Sequence, residues 1–155
     1  MTQDPLSGDA SALLQAIRSR TALRPRRGFV LTDGAWGTEL QARGLGPGEF
    51  PDLWNLSHPE RVADVARAYV DAGSEIILTN TFGANRVRLG ETGALIDVAE
   101  LNRAGVALSK RAAAGRALVF ASIGPSGKLL MTGDVTPEAL ERALAEQARA
   151  LAQGG

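Results

Sequence analysis

The chain contains no cysteine in 155 residues. Disulfides, thiolate metal sites and cysteine nucleophiles are therefore excluded within these residues. There is no imbalance of charge: 17 Lys and Arg face 17 Asp and Glu, so neither nucleic acid nor an anionic membrane is implied as a partner. The basic residues crowd somewhat between Arg18 and Arg27, a run that reads as a solvated helix end. No apolar stretch approaches the ~20 residues that a membrane-spanning helix needs. The N-terminus has no apolar signal core, and Asp4 and Asp9 speak against a transit peptide, so a cytoplasmic location is expected. Two nucleotide signatures are missing as well. Asp33 to Thr38 carries only Gly34 and Gly37, without the G-x-G-x-x-G spacing, and Asp33 would set a charge where a pyrophosphate must approach. No P-loop occurs.

What is present suits one globular domain, with 45% apolar and 22% charged residues and a length that buries roughly two-thirds of the unfolded surface. Residues 1–28 read as a loose tail followed by a helix, Ala10 to Leu23, with Leu13, Leu14 and Ile17 at helical spacing and Pro25 as its stop. Residues 29–155 form the main unit. Phe29-Val30-Leu31-Thr32 reads as a first buried strand, Thr38 to Arg43 as a short helix and Gly44 to Pro51 as a loop. Ser57-His58-Pro59-Glu60 predicts a helix start with Ser57 as cap and Glu60 as capping-box partner. The helix that follows sets Val62, Val65, Ala66, Tyr69 and Val70 on one stripe and ends at Gly73. A strand is expected from Glu75 to Leu78, a helix from Leu95 to Ala114 with Leu101, Leu108 and Ala112 on one side, and a strand from Leu118 to Ile123 that turns at Gly124-Pro125-Ser126-Gly127. Thr136-Pro137-Glu138 starts a last helix, with Leu140, Leu144 and Leu151 expected to face inward.

Strands beginning near Phe29, Glu75 and Leu118 recur about every 45 residues, each followed by a helix. This alternation means a parallel sheet, either an open doubly wound one or part of a closed barrel. The centre of the pattern is Ile76-Ile77-Leu78-Thr79-Asn80-Thr81-Phe82-Gly83: an apolar run that breaks into three hydrogen-bonding side chains. In α/β folds ligands bind beyond the carboxyl ends of strands, where Thr79, Asn80 and Thr81 would stand. Thr and Asn at such a place also simply turn the chain. The sequence stops at Gln153-Gly154-Gly155, which reads as a helix end leading into a fourth strand, so the chain is expected to be the N-terminal part of something longer.

The chain resembles the homocysteine S-methyltransferase family, found in cobalamin-dependent methionine synthase, betaine–homocysteine methyltransferase and S-methylmethionine-dependent enzymes. Asp33-Gly34-Ala35-Trp36-Gly37-Thr38 with Leu40-Gln41, Leu53-Trp54-Asn55 with His58-Pro59, Tyr69-Val70-Asp71-Ala72-Gly73, Thr79 through Asn85, Asn102, and Ser122-Ile123-Gly124-Pro125 with Gly127 carry the likeness in collinear order. The resemblance implies a (β/α)8 TIM barrel, of which this chain covers roughly the first three βα units. It implies homocysteine as substrate and methyl transfer to its thiolate, from a donor that these residues do not specify.

Homocysteine's ammonium requires a carboxylate, for which Asp33 is the candidate, and its carboxylate requires donors, which Thr79, Asn80, Thr81 and their backbone can supply. Gly34, Gly83 and Gly124 would admit a close backbone, with Phe82 and Ser122 beside them. Asp33 could equally cap the turn that follows it, and Ser122 and Gly124 could equally form a tight turn before Pro125. His58 reads as structural in its capping turn, Tyr69 belongs to a packing stripe, and Trp36 and Trp54 read as packing more than as pocket walls. The family's zinc, held by cysteines of later strands, keeps the homocysteine sulfur deprotonated, and an acidic residue of its fourth strand helps to hold the ammonium. Neither is within this chain, so the 155 residues are expected to be inactive alone. The alternatives are a non-catalytic half-barrel that binds an amino acid, regulates a full-length enzyme or forms a homo-oligomer through its open sheet edge, and a different small-molecule enzyme on a doubly wound sheet.

Overall fold

The computed structural model describes residues 30–93 and 95–155. The expected helix from Ala10 to Leu23, and Phe29, lie outside the described residues. The elements are α1 (Trp36–Ala42), α2 (Trp54–Ser57), α3 (Pro59–Asp71), β1 (Ile76–Leu78), α4 (Arg86–Leu89), α5 (Val98–Ala113), β2 (Leu118–Phe120) and α6 (Pro137–Gln153). Single 3-10 turns stand at Pro51–Leu53, Gly90–Thr92 and Leu130–Thr132.

The two strands pair in parallel, Ile76 with Leu118 and Leu78 with Phe120. The first predicted strand is present only as a bridge of Thr32 to Ile76, flanked by Glu75 N–H and Ile76 N–H donating to Leu31 O and by Asp33 N–H donating to Ile76 O. Its burial is overturned: Val30 is 39% and Leu31 46% exposed, because among the described residues nothing covers that edge. β1 lies between this segment and β2, which gives the order that successive βα units require.

α3 and α5 cover the sheet, and α6 packs on α5. The α3 stripe is as expected at Val62, Val65, Ala66 and Val70, with Tyr69 half-buried. Its C-terminus closes with Ser74 N–H donating to Tyr69 O and Gly73 N–H to Val70 O; Gly73, at φ +99°, supplies the left-handed residue that this closure needs. Ile77 joins Ala66, Val70, Ala112 and Ala113 in one core cluster. Leu40, Trp54, Val62, Val65 and Leu108 form another.

Four local expectations are corrected. Ser57 does not cap α3, and Glu60 closes no capping box: His58 occupies the cap position without a side-chain bond. Ser57 is instead the last residue of α2, and its hydroxyl donates to Leu53 O. α5 begins at Val98 rather than Leu95, because Asp97 Oδ1 accepts from Ala99 N–H and Glu100 N–H and thereby sets the helix start. β1 and β2 are three residues each, shorter than expected at the Glu75 and Ile123 ends. The buried positions of α6 are Ala143, Gln147, Ala150 and Leu151, whereas Leu140 and Leu144 are only half-buried. The cap of α6 is as expected, with Thr136 Oγ1 accepting from Ala139 N–H.

Candidate functional site

The site is built where the Asp33 segment, β1 and β2 end. Asp33 Oδ2 accepts from Trp36 Nε1 at 2.7 Å and from Leu78 N–H at 2.7 Å. A carboxylate oxygen thus takes over from backbone pairing at the point where the first segment leaves β1, and it fixes Trp36 over the opening.

Three groups then close a ring between β1 and β2. Ser122 N–H donates to Thr79 Oγ1 at 3.0 Å, and Thr81 Oγ1 donates to Ser122 O at 2.8 Å. With the Thr81 proton so used, the 2.6 Å contact between the two hydroxyls runs from Thr79 as donor to Thr81 as acceptor. The alternating Thr side chains therefore continue the sheet past its last backbone pairs.

Asn80 is tied to the 51–55 segment. Its Nδ2 donates to Pro51 O at 2.8 Å and to Asn55 Oδ1 at 3.1 Å, while Asn55 Nδ2 donates back to Asn80 O at 2.8 Å. From α6, Gln147 Nε2 donates to Thr81 O at 2.7 Å. Among the described residues the backbone N–H groups of Asn80, Thr81 and Phe82 have no acceptor, whereas Gly83 N–H donates to Asp52 Oδ1 at 2.9 Å.

These anchors border a cavity of about 490 Å³, walled by Gly34, Trp36, Phe50, Pro51, Asp52, Leu78, Thr79, Asn80, Phe82, Gly83, Arg88, Ser122 and Pro125. Asp52 is 4% exposed, and burial pushes its carboxyl up from the ordinary 3.8 to about 6, against the lowering pull of the Gly83 N–H, its own backbone N–H and the Arg88 guanidinium. Arg88 lies 5.5 Å from the Phe50 ring centre and 3.6 Å from Glu91, which also pairs with Lys128 at 2.8 Å.

The homocysteine S-methyltransferase family profile matches residues 30–155. The chain belongs to the homocysteine S-methyltransferase family. It is 30% identical over 138 residues to the methionine synthase of Mycobacterium tuberculosis, covering 81% of this chain and 12% of that protein. It is 32% identical over 126 residues to the homocysteine S-methyltransferase of Escherichia coli, covering 72% of this chain and 40% of that protein. Crystal structures of the Escherichia coli homocysteine methyltransferase MmuM superpose with a TM-score of 0.70 for the oxidized form and 0.68 for the metallated form, at 25% identity each. They cover 90% and 98% of this chain and 53% and 55% of MmuM. The chain thus spans about half or less of the relatives that it matches.

One of the MmuM structures is of a metallated form, which raises the question of metal ligands among the described residues. No group of three His, Cys, Asp or Glu side chains among them could hold one. His58 lies outside the cavity wall; its ring stacks on Trp54 at 4.6 Å and its Nδ1 is 2.9 Å from Ser57 Oγ. Among the described residues no helix is long and apolar enough to cross a membrane.

Of the residues singled out in the sequence of this homocysteine S-methyltransferase family member, Gly34, Thr79, Asn80, Phe82 and Ser122 line the cavity. Asp33, Thr81 and Gly124 are not wall residues but bond to ones that are. Gly124 N–H donates to Phe82 O at 2.8 Å, and a Cβ there would lie 2.7 Å from the Phe82 ring, so the glycine lets Phe82 fold across the end of β2. Trp36 is a wall residue, whereas Trp54 is core. Asp52 and Arg88 are wall residues that the sequence reading did not single out. The sole signal for Asp52 was its place beside the family-like Leu53-Trp54-Asn55.

Proposed function

We propose that the cavity receives the amino-acid end of homocysteine, and that this chain supplies part of the substrate pocket of a homocysteine S-methyltransferase. The observation that carries the reading is the run of acceptorless N–H groups at Asn80, Thr81 and Phe82 on a turn that Asp52, Asn55 and Gln147 hold in place. A buried N–H is nearly always paired, and Asn80, 6% exposed, borders the cavity together with Phe82, so this turn suits a carboxylate ligand. The Thr79 and Thr81 hydroxyls serve the strand-to-strand ring and hold that turn still. Trp36, kept in place by Asp33, and Phe82 offer apolar wall to a thioalkyl chain.

The family likeness supports a longer (β/α)8 barrel around this pocket, in which methyl transfer to the homocysteine sulfur would yield methionine. Zinc chemistry belongs to that whole enzyme in our reading; the chain has no cysteine, and among the described residues no group of three His, Cys, Asp or Glu side chains could hold a metal. The 155 residues are therefore expected to bind homocysteine and to form no methionine. Titrating L-homocysteine into 15N-labelled chain tests this. Shifts confined to residues 79–83 and 122 are expected; shifts scattered over the surface, or none up to millimolar ligand, would overturn it.

A further inference from the structure

We propose that one buried water molecule is bound behind the 81–85 turn, accepting from Asn85 Nδ2 and donating to Asn102 Oδ1 and Gln147 Oε1. None of these three residues walls the cavity, so the site stands whether or not the cavity takes homocysteine.

All three side chains are fully buried, at 0% exposure each. Each has one amide atom without a hydrogen-bond partner among the described residues: Asn85 Nδ2, Asn102 Oδ1 and Gln147 Oε1. The other amide atom of each is already engaged. Asn85 Oδ1 accepts from Arg88 N–H at 2.9 Å. Asn102 Nδ2 donates to Ala84 O and to Val98 O, both at 2.7 Å, and Gln147 Nε2 donates to Thr81 O at 2.7 Å. These bonds decide which end of each amide is oxygen, because turning any of them over would set donor against donor or acceptor against acceptor. The unpaired atoms are therefore one donor and two acceptors.

The three amides gather on a single turn. Thr81 O, which holds Gln147, also accepts from Ala84 N–H at 3.2 Å. Ala84 O holds Asn102, and Asn85 is the next residue. Buried amide atoms rarely stay unpaired, and few partners suit this set. A direct bond from Asn85 to either oxygen leaves the other oxygen unmet. A cation suits the two oxygens but is opposed by the Nδ2 hydrogens. Water accepts once and donates twice, which answers all three atoms. Bound there, it ties the start of α4 to α5 and α6, directly behind a turn whose neighbours Asn80 and Phe82 wall the cavity.

Solution NMR on the 15N-labelled chain and on its Asn85→Ser variant tests the proposal. Serine keeps an oxygen for the Arg88 N–H and removes the Nδ2 donor. In the wild type, transfer from water to the side-chain NH2 groups of Asn85 and Gln147 is expected, with opposite signs in NOE and ROE spectra. That pattern marks a water held for longer than the molecule takes to tumble. In Asn85→Ser the transfer at Gln147 should fall, although Gln147 bonds to Thr81 and not to residue 85. No transfer in the wild type, the equal signs of a surface water, or an unchanged Gln147 signal in the variant each overturns the proposal. A crystal structure grown with thallium(I) then separates the sources of a positive signal. One oxygen within about 3.2 Å of all three atoms, without anomalous scattering, supports the shared water. A thallium peak, a separate water on each atom, or Asn85 Nδ2 bonded directly to one of the oxygens overturns it.

Discussion

Asp33 Oδ2 lies 2.7 Å from the backbone nitrogen of Leu78, a residue 45 positions further along the chain. The same oxygen holds Trp36 Nε1, so one acceptor secures the first segment, the central strand and a wall of the cavity. Asp33→Ala would leave both donors unmet, at a cost of about 2–4 kcal/mol. Asp33→Asn keeps an acceptor oxygen and should cost about 1 kcal/mol. Urea unfolding followed by tryptophan fluorescence measures both; equal losses for the two variants would deny the acceptor role.

The hydroxyl ring makes a second prediction. Thr81→Val deletes the donor to Ser122 O and the acceptor of Thr79 in a fully buried place. It should destabilise by about 1–3 kcal/mol, and Thr81→Ser, which retains the hydroxyl, by less. Hydrogen exchange at Ser122, whose N–H rests on Thr79 Oγ1, should quicken in the valine variant. An unchanged rate would mean that the hydroxyls are not coupled across the strands.

A third concerns Gly105, inside α5. Alanine in a helix interior is ordinarily better than glycine by about 1 kcal/mol. Here the added Cβ would lie 2.6 Å from Thr81 Cγ2 and 2.7 Å from Asn55 Nδ2, both held by the network behind the cavity. Gly105→Ala should therefore destabilise by about 1–3 kcal/mol, and it should shift the 79–83 amides. A more stable variant would show that the network gives way easily.

The features legible in the sequence were those with local causes. The α3 stripe, the Gly73 stop and the Thr136 cap each follow from residues within one or two turns of one another. Asp97 was just as local a signal, but the apolar Leu95-Ile96 pair before it drew the predicted helix start upstream. Ser57 failed for a different reason: a short helix formed before it and took its hydroxyl. Gln147 could not have been read as a core residue, because the carbonyl that justifies burying it belongs to Thr81, 66 positions away. The strand exits at Asp33, Thr79 to Phe82 and Ser122 were recognisable as a group. Which of them line the cavity and which support it depends on contacts between segments 41 to 45 positions apart.

Asp52 gives a pH dependence whose sign is fixed by the direction of its change. Its carboxyl is raised from 3.8 to about 6 by burial, so between about pH 4 and 6 the folded chain holds a proton that the unfolded chain has lost. Stability contributed by this group is therefore present below about pH 4, falls as the pH rises through that window and is level above it, a loss of about 3 kcal/mol in all. Asp52→Asn cannot ionise. The variant should be more stable than the wild type at pH 7.5 by up to that amount, and the gap should close by pH 4. Urea unfolding at pH 4, 5, 6 and 7.5 measures it, and a gap independent of pH would show that the carboxylate is solvated rather than buried.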